Sequence, residues 1–231
     1  MLTVPQNPAS RLAAVRIRIE SAARAAGRDP ASITLIGVSK AQPVDAIRAA
    51  AAAGLSDVGE NYVQEAVGKM EALAGLPLNW HFIGPLQSNK TRPVAERFQW
   101  VHSVDRLKVA RRLSEQRPHY APPLMVCLQV HLGSEDTKSG AEPAELPALA
   151  AEVAALPRLA LRGLMCVPPA EEDPARQRHW FADLRRLRDR LQADGHRLDV
   201  LSMGMSADFE LAIAEGATHI RVGTAIFGAR G

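Results

Sequence analysis

Residues 33–40 read ITLIGVSK, an apolar run that ends in a lysine. The run predicts a buried strand, and residues 43–54 after it predict an alanine-rich helix that begins at Pro43 and ends at Gly54. A buried strand followed directly by a helix is the repeating unit of parallel α/β folds. This strand would deliver Lys40 to its carboxyl end.

Lysine is rare in this chain, which has five lysines against 23 arginines. Since arginine fills most basic positions, a lysine at a strand end favours a role for its amine. An amine can lose its proton and condense with an aldehyde to give a Schiff base, which a guanidinium cannot do. By position alone, an ordinary surface lysine is equally compatible.

The strand-then-helix pattern recurs eight times without a break in composition. Strands are predicted at residues 33–39, 56–61, 79–84, 99–104, 123–132, 159–167, 198–204 and 219–223, and helices at residues 7–26, 43–54, 62–73, 88–97, 105–116, 143–155, from 176 onward, 207–215 and 223–228. Eight units in this length favour a closed barrel, with an open doubly wound sheet as the alternative. We predict an α/β protein with a single (β/α)₈ TIM barrel domain over residues 1–231 and an extra N-terminal helix.

Composition and charge exclude several classes of protein. Hydrophobic residues make up 47%, the formal net charge is +3, and the Arg-rich segment from Arg176 has the apolar spacing of an amphipathic helix with a solvated basic face, so no nucleic-acid partner is expected. No segment predicts a membrane span or a signal peptide, which indicates a cytoplasmic protein. Cys127 and Cys166 lie far apart in apolar runs, as buried free thiols do, and no spacing predicts a metal site.

In a barrel, functional side chains collect at the carboxyl ends of the strands. Here that rim would carry Lys40, Asn61, residues 84–90, Ser103, the loop 133–140, Met165, residues 202–206 and residues 221–224. Glycine and small polar residues after the last two strands are typical of barrel phosphate sites, because the amides that begin the next helix attract anions. The candidate residues are Ser202, Gly204 and Ser206 after strand seven and Arg221, Gly223 and Thr224 at strand eight.

Pyridoxal 5′-phosphate (PLP) suits a rim that holds a lysine on one side and a phosphate site on the other. Its aldehyde would meet Lys40 and its phosphate the glycine-containing segments. Arg221 could then reach the ring nitrogen and disfavour its protonation, which makes the ring a weaker electron sink than an aspartate partner would.

Several motifs together resemble one family. GVSK, GENYVQE, WHFIGPLQSNK, RGLM, LSMGMS and IRVGTAIFG are similar to motifs of the pyridoxal phosphate homeostasis proteins, which are related to the N-terminal barrel of alanine racemase. The resemblance covers about residues 33–228. It implies the cofactor on Lys40, phosphate ligands among Ser206, Gly223 and Thr224, Arg221 beside the pyridine nitrogen, and Asn61 nearby.

The same resemblance implies a monomeric or weakly associating protein that takes part in intracellular PLP homeostasis. Such a protein would buffer the cofactor and deliver it to PLP-dependent apoenzymes or exchange it with vitamin B6 enzymes, and no catalytic residue is predicted. Lys138, in the loop 133–140, is either a solvated lysine or a second amine that takes the aldehyde during release. His81 and His102 are interpreted as satisfied core histidines, with proton transfer as the less favoured reading.

Two enzyme classes compete with this carrier. An amino-acid racemase would need a second proton-transfer group facing the cofactor; in alanine racemase that group is a tyrosine from a second domain. Here the chain ends at Gly231, just after strand eight, and offers Tyr62 and Tyr120, so the racemase is the less favoured alternative. A phosphosugar isomerase or aldolase would keep the phosphate site but has only Glu60 as a candidate acid–base group.

Overall fold

The computed structural model of the protein describes residues 7–133, 139–169 and 171–229. Eight parallel strands form a closed barrel in sequence order, with β8 paired to β1. The strands are β1 (Thr34–Val38), β2 (Asp57–Glu60), β3 (Asn79–Phe82), β4 (Trp100–Val104), β5 (Leu124–Val130), β6 (Leu159–Cys166), β7 (Val200–Ser202) and β8 (His219–Val222). This architecture confirms the predicted TIM barrel and excludes an open sheet.

Helices follow the strands on the outside of the barrel. They are α1 (Pro8–Ala25), α2 (Val44–Ala52), α3 (Val63–Ala72), α4 (Thr91–Arg97), α5 (Leu107–Gln116), α6 (Leu146–Ala154), α7 (Pro174–Ala193), α8 (Phe209–Ala214) and α9 (Thr224–Phe227). The predicted helix 207–215 starts later than expected. Residues 206–208 form a turn instead, in which the Asp208 carboxylate accepts from the backbone N–H of Met205 at 2.6 Å. Among the described residues no helix is long and apolar enough to cross a membrane.

Helix α1 completes the outer layer of the barrel. The helix after β8 spans only four residues, and α1 packs beside it, against α8, α9 and α2. Its start is set by Asn7, whose side chain accepts from the Ser10 N–H, and by Pro8 in the first turn. Its buried side chains, Leu12, Val15, Ile19 and Ala23, recur at helical spacing. The extra N-terminal helix is therefore an integral part of the core.

The barrel interior is partly polar. An apolar cluster of Trp100, Cys127, Met165 and Val200 fills one part of it, and the rings of His81, His102 and His219 lie beside Trp100. Ser103 and Met165, which we expected on the rim, are instead buried within β4 and β6. Both cysteines are free and buried, as predicted, and burial raises the pKa of Cys166 to about 12.

The packing of α1 predicts an unequal effect of two substitutions on the same helix. Leu12 is fully buried, whereas Ile17 is 68% exposed. We expect Leu12→Ala to lower the free energy of unfolding by about 2–4 kcal/mol through the cavity it leaves, and Ile17→Ala by less than about 0.5 kcal/mol. Denaturant unfolding measures both, and equal losses would show that α1 is not part of the cooperative core.

Candidate functional site

A cavity of about 370 Å³ opens at the carboxyl ends of the strands. Six predicted cofactor-binding residues line it: Lys40, Asn61, Ser206, Arg221, Gly223 and Thr224. Apolar side chains of Val38, Ile83, Val167 and Met205 complete the walls. A larger cavity of about 570 Å³ lies beside Trp180 on the outer surface, but none of the predicted cofactor-binding residues lines it. The barrel mouth is therefore the candidate site.

Lys40 is held in a tight turn at the end of β1. The Gln42 N–H donates to the carbonyl of Ser39, on the near side of Lys40. On the far side, Ala41 has a φ of +58°, a left-handed conformation that costs a non-glycine residue roughly 1 kcal/mol. The Ala41 N–H donates to a carboxylate oxygen of Glu65 at 2.6 Å. The backbone on both sides of Lys40 is thus fixed by specific hydrogen bonds.

A buried ion cluster behind this turn anchors it. The Lys69 ammonium donates to the Ser39 carbonyl at 2.6 Å, to Glu60 at 2.7 Å and to Glu65 at 2.6 Å. Glu60 is fully buried and also accepts from the Ser39 hydroxyl. Burial raises the pKa of Glu60, although its hydrogen bonds with Lys69 and Ser39 oppose that rise. Lys69 therefore pairs with two carboxylates while it fixes the turn that carries Lys40.

Arg221 reaches the cavity from β8 and is almost completely buried. Its guanidinium donates to the Ser202 hydroxyl at 2.8 Å and to the Cys166 carbonyl at 2.7 Å. Burial lowers the pKa of Arg221, yet a guanidinium stays protonated in proteins and can only donate hydrogen bonds. A ring nitrogen placed against Arg221 would therefore meet a donor and remain unprotonated.

Small groups at the ends of β7 and β8 form the opposite wall. The Ser206 hydroxyl accepts from the backbone N–H of Gly223 at 3.2 Å and of Ala225 at 3.4 Å. These two amides open α9, and Thr224 between them is exposed. Both amides are directed at the Ser206 oxygen, and the Ser206 hydroxyl keeps its proton as a donor, the kind of group from which phosphate oxygens accept.

Ser202 and Gly204, also predicted to bind the cofactor, do not line the cavity. Ser202 is fully buried, and its hydroxyl lies behind Arg221. Gly204 has a φ of +91°, and a Cβ added there would lie 2.6 Å from the Cβ of Ala212. Its carbonyl accepts from the Arg221 N–H. The structure thus gives both residues contacts that support the site from behind.

Asn61 provides the test of whether a polar ligand fits the cavity. Its Oδ1 atom is buried and has no hydrogen-bond partner among the described residues, a costly arrangement that a ligand donor or a water relieves. Its backbone lies against Gly84, where an added Cβ would be 2.4 Å from the Asn61 carbonyl oxygen. An amine, a donor-only cation, a serine hydroxyl beside backbone amides, and apolar walls together fit PLP.

Other sequence candidates lie elsewhere. Lys138 is outside the described residues. Tyr62 and Tyr120 are 61% and 92% exposed, and neither lines the cavity. Glu60 also does not line it, because its carboxylate turns toward Lys69. The described residues include no group of three potential metal ligands.

We did not predict from the sequence that Lys69 supports the turn at Lys40. The spacing of Glu65 and Lys69 by four residues indicates an ion pair on one helix face, but such pairs are usually exposed. Nothing in the sequence shows that Lys69 is buried against Ser39, because that contact depends on how α3 packs on β1.

Comparisons with known proteins agree with this geometry. Residues 10–231 match the family model described as the alanine racemase N-terminal domain. A pyridoxal phosphate homeostasis protein of Pseudomonas aeruginosa is 61% identical over 230 residues, with 100% of this chain and 97% of the relative covered. The protein of that name in Escherichia coli strain K12 is 51% identical, with 96% of each chain covered.

Solved structures give the same result. PipY of Synechococcus elongatus PCC7942, solved with PLP bound, superposes with a TM-score of 0.85 at 43% identity and covers 96% of this chain and 100% of its own. Alanine racemase of Corynebacterium glutamicum, at 18% identity, has a TM-score of 0.72 over 94% of this chain and 62% of its own, which shows the common fold. The chain therefore belongs to the family of the alanine racemase N-terminal domain and, within it, to the pyridoxal phosphate homeostasis proteins.

Proposed function

We propose that this protein binds PLP at the barrel mouth as a Schiff base on Lys40 and acts in intracellular PLP homeostasis. The observation that carries the proposal is the presence of Lys40, Arg221 and the Ser206 hydroxyl in one cavity. Bound PLP supplies an aldehyde that condenses with a primary amine, and a phosphate that must be neutralised or hydrogen-bonded. The PLP-bound PipY structure and the names of the close relatives support the assignment.

Each lining residue has a distinct part in binding. Lys40 supplies the amine, and its fixed backbone limits where that amine can lie. Arg221 donates toward the ring nitrogen and excludes a proton there, and the Ser206 hydroxyl with the Gly223 and Ala225 amides receives the phosphate. Asn61 offers its unpaired carbonyl oxygen to a donor on the ligand.

Buffering and delivery, rather than catalysis, is the role we propose. Among the described residues, the titratable side chains that line the cavity are Lys40 and Arg221. A racemase of the two-base type needs a further group opposite Lys40, and neither tyrosine lines the cavity. The proposal also includes action as a monomer and a cytoplasmic location, and the latter is supported by two unpaired cysteines of the kind that a reducing compartment maintains.

The covalent attachment gives the direct test. We expect protein supplied with PLP and treated with borohydride to carry one coenzyme adduct, located on Lys40 by peptide mass spectrometry. Lys40→Ala should lose the adduct while keeping its unfolding midpoint, because a half-buried rim side chain contributes little to the core. Lys90→Ala, at an exposed lysine on the same side of the barrel, is the matched control and should keep the adduct.

The protein supplied with PLP also distinguishes a carrier from a racemase. Incubation with L-alanine or D-alanine should give no inversion above that of the Lys40→Ala protein. Inversion that depends on Lys40 would overturn the carrier assignment and favour the racemase.

The ion cluster behind Lys40 generates a further prediction. Lys69→Met removes the cation that pairs with Glu60 and Glu65, so we expect a loss of about 3–5 kcal/mol in the free energy of unfolding. Adduct formation should also slow at temperatures where the variant remains folded, because the turn at Ala41 loses its anchor. Lys108→Met, at an exposed lysine on α5, is the control, and equal behaviour of the two variants would contradict the anchoring role.

Delivery to other proteins is tested by transfer kinetics. We propose that Lys138 accepts the aldehyde during release, so Lys138→Ala should slow the recovery of activity of a PLP-dependent apoenzyme mixed with loaded protein. Its binding of PLP should stay unchanged. Transfer at the wild-type rate would remove Lys138 from the proposal and leave Lys40 in place.

A further inference from the structure

A chain of hydrogen bonds crosses the barrel interior and ends at Arg221. The contacts are Asp57 Oδ1 to His81 Nε2 at 3.0 Å, His81 Nδ1 to His102 Nε2 at 3.0 Å, His102 Nδ1 to Ser202 Oγ at 2.8 Å, and Ser202 Oγ to Arg221 Nη1 at 2.8 Å. The members come from β2, β3, β4, β7 and β8. Asp57 opens β2 at the amino end of the barrel, and Arg221 lines the cavity at the other end.

The two ends of this hydrogen-bond chain determine which group donates and which accepts at each contact. Arg221 can only donate and the Asp57 carboxylate can only accept, so with neutral histidines the Ser202 oxygen accepts from Arg221 while the Ser202 hydroxyl donates to His102 Nδ1. His102 then carries its proton on Nε2 and donates to His81 Nδ1. His81 likewise carries its proton on Nε2 and donates to Asp57, whose carboxylate can only accept. Every link is satisfied when both histidines are neutral and protonated on Nε2.

Neighbouring groups stabilise these protonation states of the hydrogen-bond chain. The Asp57 carboxylate also accepts from the Asn79 amide at 3.1 Å and from the Ser56 hydroxyl. Burial acts to raise the pKa of Asp57, but its hydrogen bonds with His81, Ser56 and Asn79 outweigh that effect, and the pKa lies below its usual value. Burial lowers the pKa of His81 and, together with the neighbouring histidines and Arg221, that of His102.

Ring packing fixes the histidines in position. Trp100 stacks on His81 with 5.6 Å between ring centroids and 9° between planes. Burial lowers the pKa of His219 to about 4. Its ring centroid lies 6.0 Å from that of His102. These ring contacts and the hydrogen bonds together favour one orientation of each imidazole.

We propose that Asp57, His81, His102 and Ser202 are positioning residues that aim the Arg221 guanidinium at the ring nitrogen of bound PLP. This inference rests on the proposed function. Arg221 is buried, and within the described part of the protein its side-chain hydrogen bonds go to a hydroxyl and a carbonyl and to no carboxylate, the group that usually orients a buried arginine. The hydrogen-bond chain takes over that orienting role, because a fixed acceptor, His102 Nδ1, polarises the hydroxyl that Arg221 contacts.

The cost of burying these polar groups also indicates that the hydrogen-bond chain has a role beyond packing. A barrel interior can be filled with branched apolar side chains, and two buried histidines with a serine are costly unless all their hydrogen bonds are made. Here they are all made, and they converge on a single atom of a residue that lines the cofactor cavity. Positioning of Arg221 explains this convergence, whereas packing alone does not.

The experiment compares two serine-to-alanine substitutions in buried strands. Ser202→Ala breaks the chain next to Arg221. Ser103→Ala is the matched control, because Ser103 adjoins His102, is equally buried, and has a hydroxyl without a partner among the described residues. We expect Ser202→Ala to weaken PLP binding about tenfold, as for the loss of one hydrogen bond to a charged group, and to shift the absorbance maximum of the bound coenzyme. Ser103→Ala should change neither quantity.

The remote end of the chain provides a second comparison. Asp57→Asn keeps an acceptor oxygen for His81 and should largely preserve the absorbance maximum, whereas Asp57→Ala should shift it in the same direction as Ser202→Ala. Equal spectra for all four variants, with a normal Lys40 adduct in each, would overturn the positioning role alone. Failure of the wild-type protein to form the adduct would overturn the proposed function and this inference together.

The donor and acceptor roles along the hydrogen-bond chain can be checked in the unsubstituted protein without cofactor. Nitrogen-15 NMR of labelled histidines should show His81 and His102 as neutral rings protonated on Nε2 at pH 7. A proton on Nδ1 of either ring, or a doubly protonated ring, would reverse a link and overturn the inference whatever the variants show.

Discussion

The pairing of β8 with β1 is the contact on which the rest of this structure depends. It closes the barrel, with Ile36 opposite Arg221 and Gly37 opposite Val222. Without it, the first and last strands would be sheet edges, and Lys40 would lie far from the segments that end β7 and β8. Closure therefore does more than remove edge strands. It brings the Lys40 amine, the Arg221 guanidinium and the Ser206 hydroxyl, which lie up to about 180 residues apart in the chain, around one cavity.

Two buried polar systems support that cavity from different sides. On the β1 side, Lys69 and two glutamates lie between the barrel and α3 and fix the turn around Lys40. On the β8 side, histidines and Ser202 lie inside the barrel and fix Arg221. The first system fixes the backbone that carries Lys40 and the second fixes the Arg221 guanidinium, so part of the conformational entropy is lost on folding and not on binding.

Much of the fold could be predicted from the sequence because the strands are short apolar runs bounded by turn residues. Each predicted strand overlaps the observed one, and Lys40, Asn61, Ser206, Arg221, Gly223 and Thr224 meet at one cavity as expected. The positions that could not be predicted depend on side-chain direction. Ser103 lies within the irregular stretch of β4 between Val101 and Val104, where strict alternation of side chains does not hold, and neither this irregularity nor that of β5 near Val126 is visible in the sequence.

The placement of α1 has a consequence for biosynthesis. This helix is the first described element to be synthesised, and its apolar face packs on α2, which follows soon after it, and on α8 and α9, the last of the described helices. The part of that face which α8 and α9 cover therefore stays exposed until those two helices have been made. Docking of α1 on the barrel is complete only after β8 and α9 are present.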